Sequence, residues 1–226
     1  MLSKNELEKK ELEFESKIKS IKNEGRIYSV IDGIIDIEKY LNVKRKILWV
    51  LKDANYGKSD SNYPMTRTYR EFKTIKDVKH RSITRRMMLV SHKILNDIEP
   101  IEPLEAFKSI ACINIKKLAG GSKSEHKVLK QEYEKHRDLI LEQISVYDPK
   151  IIIFGDTLGY FEKDFNFRQP PWKSKFLMGK EQHYYFTNEK LYINAYHPSF
   201  WRPITEKNYC DKIFNAYSNW KKEFKK

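Results

Sequence analysis

Three short, wholly apolar runs constrain the fold of this chain more than any other feature of its sequence. They cover residues 47–51, 110–113 and 151–154, and a polar loop follows each of them. Uninterrupted apolar runs of this length are typical of strands that are buried on both faces of a parallel sheet. Long segments with helical spacing, at 82–96 and 125–147, separate the runs. The alternation predicts the α/β class, as a three-layer αβα sandwich around a central, mostly parallel four-stranded sheet.

The fourth strand is expected in a hairpin closer to the carboxyl terminus. Residues 183–187 and 190–196 are rich in β-forming side chains and flank the turn-forming segment 187–190. The remaining patterns predict helices at 4–23, 28–40 and 205–225 and an irregular insertion at 161–180. We expect one domain over residues 1–226, with residues 1–40 packed on it as a helical segment.

The chain is strongly basic, with 44 Lys and Arg against 31 Asp and Glu and a net charge of +13. A basic excess favours a polyanionic partner such as DNA, because cationic side chains release the counterions that condense on phosphates. The lysines are spread along the whole chain, however, so a general enrichment in lysine explains the charge equally well. Charge alone therefore leaves a nucleic-acid partner open.

Several classes of protein need residues that this sequence lacks. Cys112 and Cys210 form no CxxC pattern, and the six histidines show no close metal-binding spacing. No apolar run approaches the roughly 18 residues of a membrane helix. The basic amino terminus also lacks the apolar core of a signal peptide. We therefore expect a cytoplasmic monomer that uses no metal or other cofactor and does not bind membranes.

Polar loops follow all four predicted strands. In chain order they are 52–57, 114–117, 155–157 and 197–199. Right-handed crossovers bring the carboxyl ends of parallel strands to the same edge of a sheet, and open α/β sheets bind their ligands at that edge. The sequence therefore predicts one site to which all four loops contribute.

The residues in these loops resemble the motifs of the uracil-DNA glycosylase superfamily. Asp53 and Tyr56 follow the first strand, Asn114 follows the second, Gly155 follows the third, and a His-Pro-Ser motif at 197–199 follows the fourth. The resemblance implies a DNA glycosylase that flips a pyrimidine out of DNA and hydrolyses its N-glycosidic bond. Subfamilies with an iron–sulfur cluster need four cysteines, and the two in this chain exclude that subtype.

The resemblance also assigns a role to each motif residue. His197 is expected to donate a hydrogen bond to the carbonyl oxygen of the leaving base, and Asp53 to stabilise the sugar cation and orient a water molecule. Asn114 is expected to read the edge of the base and Tyr56 to stack on it. An ordinary structural role is the alternative for each: a buried histidine, a turn-capping Asp or Asn, and a packed aromatic ring.

Further residues are predicted to contact the DNA. The glycine-rich loop before the helix at 125–147 suits phosphate groups, as does a hydroxyl in the His-Pro-Ser motif. Bulky residues after that motif suit a wedge into the gap that the flipped nucleotide leaves. The predicted contacts are Lys116, Lys117, Ser122, Lys123, Ser124, Ser199, Phe200, Trp201 and Arg202. Their structural alternatives are a turn with a helix cap, core aromatics and solvated surface charges.

Two positions depart from the pattern of the superfamily. Its first motif usually has Gly before the acidic residue and Pro after it, whereas Lys52 and Ala54 occupy those places here. Together with the aromatic-rich segment 161–180, these departures indicate a reshaped and wider base pocket. We expect uracil or a damaged pyrimidine as the substrate. A bulky modified phage pyrimidine, removed in antiviral defence, is the alternative.

Two other functions compete with a glycosylase. Glu71 and Lys73 form a Glu-x-Lys triplet that, with Asp53 or Asp60, fits a metal-dependent nuclease. That interpretation leaves the His-Pro-Ser motif unexplained. The second rival is a non-catalytic DNA-binding module on the same fold, because a fold does not determine an activity.

Overall fold

A computed structural model describes residues 2–21, 28–54, 62–79, 81–120, 125–178, 182–199 and 204–224. The helices within these ranges are α1 (Lys4–Lys19), α2 (Ile37–Asn42), α3 (Met65–Arg70), α4 (Ile75–Lys79), α5 (Ser82–Asn96), α6 (Pro103–Lys108), α7 (His126–Tyr147), α8 (Glu162–Phe165) and α9 (Glu206–Glu223). The strands are β1 (Gly33–Ile34), β2 (Ile47–Leu51), β3 (Ala111–Asn114), β4 (Ile151–Gly155), β5 (Lys173–Met178), β6 (Gln182–Phe186) and β7 (Leu191–Ala195).

The strands form one mixed sheet in the order β1-β3-β2-β4-β7-β6-β5. The four central strands, β3, β2, β4 and β7, run parallel to one another. At the two sides β1 pairs with β3, β6 with β7 and β5 with β6, all antiparallel. The predicted α/β class is confirmed, but the prediction of a four-stranded sheet is wrong, because the described residues form seven strands. The sequence signal was weak there: β1 has two residues, and the first four of β5 are exposed.

Helices cover both faces of the sheet, because successive side chains of each central strand point to opposite faces. In β2, Ile47, Trp49 and Leu51 pack in a core with residues of α5, α6 and α9. Leu48 and Val50 of the same strand pack in a second core with residues of α1, α2 and α7. Burial on both faces explains why these strands are wholly apolar in sequence. Among the described helices, none has the length and apolar character needed to cross a membrane.

Several predicted elements agree with the structure and two do not. The strand at 47–51, the helix at 82–96 and the hairpin of β6 and β7 are confirmed. The helix predicted at 28–40 is wrong for most of its length, because Val30 and Ile31 form backbone hydrogen bonds to Lys117 and Tyr63 before the chain enters β1. A helix begins only after Asp36, whose side chain accepts a hydrogen bond from the backbone of Lys39. The insertion at 161–180 is more regular than predicted, since it contains α8 and all of β5.

The exposed edge of the sheet at β5 carries charge. Lys173 and Lys175 are exposed and bind the carboxylate of Glu223 in α9, at 3.0 and 2.8 Å. Phe176 on the same strand is 61% exposed. Charged side chains on an edge strand discourage pairing with a further strand.

The amino-terminal helix α1 packs on α7 through an apolar stripe and also buries a carboxyl group. Glu11 accepts a hydrogen bond from the backbone of Ile34 at 3.3 Å, and its Oε1 atom is buried with no hydrogen-bond partner among the described residues. Burial is the largest cause of a raised pKa for this carboxyl, and the nearby negative charge of Asp32 adds to it, giving a pKa of about 7. The group is therefore protonated in the folded protein at mildly acidic pH.

Replacement of Glu11 by Gln is expected to flatten the pH dependence of stability. Between pH 4.5 and about 7 the unfolded chain loses this proton while the folded protein keeps it. The contribution of Glu11 to the free energy of unfolding therefore falls as pH rises through this window, by on the order of 3 kcal/mol. Urea unfolding at about pH 5 and about pH 8 should show a smaller decrease for Glu11→Gln than for the wild type.

The matched control is Glu8→Gln, at an exposed position on the same helix. It should retain the wild-type pH dependence. If Glu11→Gln retained it as well, the raised pKa of Glu11 would be contradicted.

Candidate active site

The loops that follow β2 and β3 lie side by side at the carboxyl edge of the sheet. Asn114 is opposite Leu51 in the parallel register. Beyond the strands, the backbone N–H groups of Lys116 and Gly120 donate to the carbonyl oxygens of Lys52 and Ala54, at 3.0 and 2.9 Å. The two loops that carry Asp53 and Asn114 are thus joined by backbone hydrogen bonds.

Gly155 is the point where the ends of β2 and β4 meet the loop after β7. A Cβ atom at this position would lie 3.0 Å from Leu51 Cδ2, 3.1 Å from Pro198 Cδ and 3.3 Å from His197 Cδ2. Any side chain larger than hydrogen would push these groups apart. Glycine therefore allows His197 to approach the end of β2, near the loop that carries Asp53.

Within the described residues, the ring of His197 is hydrogen-bonded through Nδ1 and not through Nε2. Its Nδ1 atom lies 2.7 Å from Ser199 Oγ and accepts a hydrogen bond from the backbone N–H of Ser199 at 3.3 Å. Because a backbone N–H always donates, Nδ1 is an acceptor and the proton of a neutral ring is assigned to Nε2. The Nε2 atom is buried and has no hydrogen-bond partner among the residues that the structure describes.

The surroundings of His197 keep its ring uncharged. Burial is the main cause of a pKa lowered from 6.5 to about 3, and the positive charge of Lys52 adds to the effect. The imidazole is therefore neutral at physiological pH, with its buried N–H group unmatched by an acceptor in the part of the chain that the structure describes. An unpaired buried donor is unfavourable in the free protein and is satisfied when an acceptor enters.

Lys52 is held at this edge by an ion pair with Asp156 in the loop after β4. Its Nζ atom lies 2.7 Å from Asp156 Oδ2. Asp156 has a left-handed backbone, with φ of 61°, and its N–H donates to the carbonyl oxygens of Phe154 and Ala195 at 3.0 and 2.7 Å. Lys52 thus links the ends of β2 and β4, and its charge influences His197.

Two helices on one face of the sheet hold the His-Pro-Ser loop in place. Arg86 of α5 donates to the carbonyl oxygen of Pro198 at 3.0 Å, and Tyr209 of α9 donates to that of Tyr196 at 2.8 Å. The guanidinium of Arg86 also lies over the Tyr209 ring, 5.2 Å from its centre. The carbonyls on both sides of His197 are thus fixed. Neither residue was predicted from the sequence, although Arg86 lies at helical spacing with the apolar Val90 and Ile94, which was a usable signal.

Asp53 is half-buried, and its carboxylate rests against the α-carbon of Gly120. A Cβ atom at Gly120 would lie 1.8 Å from Asp53 Oδ2, which no packed structure tolerates. The observed orientation of Asp53 therefore requires the absence of a side chain at Gly120.

A buried polar network fixes Asn114. The carboxylate of Asp32 accepts a hydrogen bond from the Asn114 backbone N–H at 2.7 Å. It also accepts two bonds of 2.9 Å from Lys117 and one of 3.2 Å from Gln143. Among the described residues, the side-chain amide of Asn114 donates only to the sulfur of Met65, at 3.5 Å. Because sulfur is a weak acceptor, that contact is easily exchanged for a stronger one.

The prediction that Lys117 contacts DNA is wrong. Its side chain has no exposed surface, and its ammonium group binds Asp32 and Gln143 at 2.8–2.9 Å inside the protein. A phosphate on the surface cannot reach this charge. Lys116 is half-buried and Ser199 is exposed at the same edge, and their DNA contacts stay predictions.

Several of the predicted site residues lie outside the described residues. They are Tyr56, Ser122, Lys123, Ser124, Phe200, Trp201 and Arg202. Asp60 of the nuclease alternative lies outside them too. Glu71, from the same alternative, forms an exposed ion pair with Arg67 at 3.0 Å. Within the described part of the chain, no group of three or more His, Cys, Asp or Glu side chains is arranged to hold a metal ion.

Comparison with known proteins adds no family to these observations. No protein-family model matches the sequence, and no curated protein is significantly similar to it. The chemistry of the site therefore has to be inferred from the geometry of its own residues.

The neutral state of His197 can be checked by NMR. The imidazole signals of His197, assigned by their loss in His197→Gln, are expected to stay constant from about pH 9 down to about pH 4.5. The reason is that burial and Lys52 keep the pKa near 3. In the protein unfolded in urea, the same ring should titrate near the usual value of about 6.5. A midpoint near 6.5 in the folded protein would contradict the lowered pKa of the buried ring.

Proposed function

We propose that the protein is a DNA glycosylase, which flips a uracil, damaged or modified pyrimidine out of DNA and hydrolyses its N-glycosidic bond to leave an abasic site. The observation that carries this proposal is the neutral His197 at the carboxyl edge of the parallel strands, whose buried Nε2–H group has no partner among the described residues. Ligands bind at this edge in open α/β sheets. The chemical groups that lie together at this edge support the proposal.

Cleavage of an N-glycosidic bond places negative charge on the leaving base and positive charge on the sugar. A fixed N–H donor in a water-poor site stabilises the developing negative charge without having to reorient during the reaction. His197 supplies this donor from Nε2, and the bond from Ser199 to Nδ1 keeps the ring in the required tautomer. This role requires a neutral ring, and a pKa of about 3 keeps the ring neutral at physiological pH.

The positive charge on the sugar calls for a carboxylate, and Asp53 is our candidate. It follows β2, the strand whose end meets His197 at Gly155. A carboxylate beside the sugar stabilises an oxocarbenium-like state and orients the attacking water. Contact with Gly120 defines where this carboxylate sits.

Recognition of the base falls to Asn114. An amide side chain offers one acceptor and two donors, which suits the hydrogen-bonding edge of a pyrimidine. Asp32 fixes the backbone of Asn114, while the weak contact with Met65 leaves the amide available to a ligand.

The net charge of +13 supports a polyanionic substrate. Lys116 and Ser199 lie beside the site, where phosphate groups of a bound strand would pass. An antiviral enzyme that removes a bulky phage pyrimidine would use the same catalytic groups. The two kinds of substrate differ in the size of the pocket that the base needs.

Base release provides the direct test. Purified protein is incubated with DNAs that carry uracil, damaged pyrimidines or phage-modified cytosines, and alkali then converts abasic sites into strand breaks. His197→Ala and Asp53→Asn should each lower the rate of base release by roughly 10²–10⁴-fold, the usual contribution of such groups. DNA affinity and melting temperature should stay close to the wild-type values.

The control variant is Asn188→Ala, in the exposed turn at the opposite edge of the sheet, and it should be fully active. Activity that survives EDTA separates a glycosylase from a metal-dependent nuclease. DNA binding without base release from any substrate would instead identify a non-catalytic binding module.

Gly120→Ala is expected to displace Asp53 without unfolding the protein. The new methyl group would occupy the position of Asp53 Oδ2, an atom at the end of a side chain that can rotate away. Base release should fall about 10²-fold, because a shift of about 1 Å in a reacting group has effects of that size. Gly159→Ala is the matched control for melting temperature, since a Cβ there meets nothing within 4 Å. Unchanged base release in Gly120→Ala would argue against a catalytic role for Asp53.

A further inference from the structure

A polar cavity of about 460 Å³ opens beside the candidate active site and has no role in the mechanism above. It lies where the loop after β4 approaches the start of α7 and the hairpin of β6 and β7. Its lining includes Lys52, Asp156, Tyr160, Gln182, Tyr185 and Asn194. Lys52 connects the two places, because its side chain lines the cavity and its charge lowers the pKa of His197.

The cavity opens towards the α7 side of the sheet. Ile193 and Ala195 of β7 point into the core under α5 and α9, so Asn194 between them points the other way. Asn194 therefore lines the cavity on the α7 face of the sheet, close to the carboxyl edge where His197 lies.

The charged groups in this cavity are already paired within the protein. Lys52 binds Asp156 at 2.7 Å, and Glu162, which also lines the cavity, binds Arg168 at 3.4 Å. A phosphate group would have to compete with Asp156 for the ammonium of Lys52. An uncharged polar ligand fits the cavity better than an anion does.

The amide group of Asn194 supplies the hydrogen-bonding capacity. Asn194 Oδ1 is buried and has no hydrogen-bond partner among the described residues. An unpaired buried acceptor is unfavourable, and a ligand that donates to it removes the penalty. Asn amides are among the side chains that form paired hydrogen bonds with the edge of a nucleobase.

Two phenol rings complete the lining. Tyr160 and Tyr185 are both half-buried, and each is held by a neighbouring ring: His126 lies 5.1 Å from Tyr160, and Phe167 lies 4.8 Å from Tyr185. Partly exposed tyrosine rings are the usual platforms on which unstacked bases rest. An amide can bond to the edge of a planar ligand, and phenol rings can stack on its face. The lining therefore suits a planar, uncharged heterocycle.

We infer that this cavity binds a second, unstacked nucleobase, which belongs to a nucleotide next to the target on the bound strand. The inference rests on the proposed function insofar as it takes DNA to be the substrate. It adds a contact that reads a neighbouring position, so the identity of that neighbour would affect affinity and rate.

An abasic-spacer scan tests the inference. Single-stranded oligonucleotides carry a target pyrimidine and one abasic spacer, which is moved through the positions on either side of the target. Affinity is measured by fluorescence anisotropy in a His197→Ala background, so that base release does not change the probe. One spacer position should weaken binding by about tenfold, the usual effect of losing one stacked base.

The variants then locate that base in the cavity. Asn194→Ala and Tyr185→Leu should bind the complete oligonucleotide about tenfold more weakly, and the critical spacer should cause no further loss. Tyr185→Phe keeps the ring and should bind nearly as well as the parent. Asn188→Ala, a change of the same type at the far edge, should retain the full response to the spacer.

The outcome separates this inference from the glycosylase proposal. If the wild type releases bases but no spacer effect depends on Asn194 or Tyr185, the second base site is wrong and the glycosylase stands. If the coupling appears while no DNA loses a base, the cavity is a base site on a protein without this activity. Affinity for a free monosaccharide that Asn194→Ala abolishes, with no spacer effect, would also overturn the inference.

Discussion

The buried ion pair between Asp32 and Lys117 is the interaction on which the candidate site depends. Both side chains are almost without exposed surface, and Gln143 completes the hydrogen bonding of the pair. The desolvation cost of a buried ion pair is offset only when the geometry is good and further hydrogen bonds satisfy the remaining atoms. Here one of those further bonds comes from the backbone of Asn114. The network therefore connects the end of β3 and the loop after it to α7, and it fixes the position of Asn114.

Burial shifts the pKa values of Glu11 and His197 in opposite directions. It raises the pKa of Glu11 to about 7 and lowers that of His197 to about 3, since in each case a low-dielectric environment disfavours the charged form. At Glu11 the consequence is a stability that varies with pH. At His197 the consequence is a neutral hydrogen-bond donor whose state does not vary over the physiological range. Lys52 contributes to the second effect, and its ion pair with Asp156 fixes the distance from which it acts.

The sequence predicts the central strands well because burial on both faces leaves a signal that no surface element shares. It also predicts the common edge on which Asp53, Asn114 and His197 lie, since parallel strands bring their carboxyl ends together. The outer strands β1 and β5 were not predicted. Most side chains of β5 are exposed to solvent, and the two residues of β1 are too few to show a pattern. Lys117 was misassigned for a related reason: nothing in a linear sequence shows that Asp32, 85 residues earlier, accompanies it into the core.

The lysines on β5 bear on how concentrated solutions of this protein behave. With Lys173 and Lys175 held by Glu223, a second molecule that added its own strand there would have to break these ion pairs or bury them. Exposed ion pairs weaken when salt screens them, over a Debye length of about 10 Å at 0.1 M. The ring of Phe176 is exposed on the same edge strand. Polymers that form by strand pairing at β5 should therefore be suppressed in dilute buffer and favoured at high ionic strength.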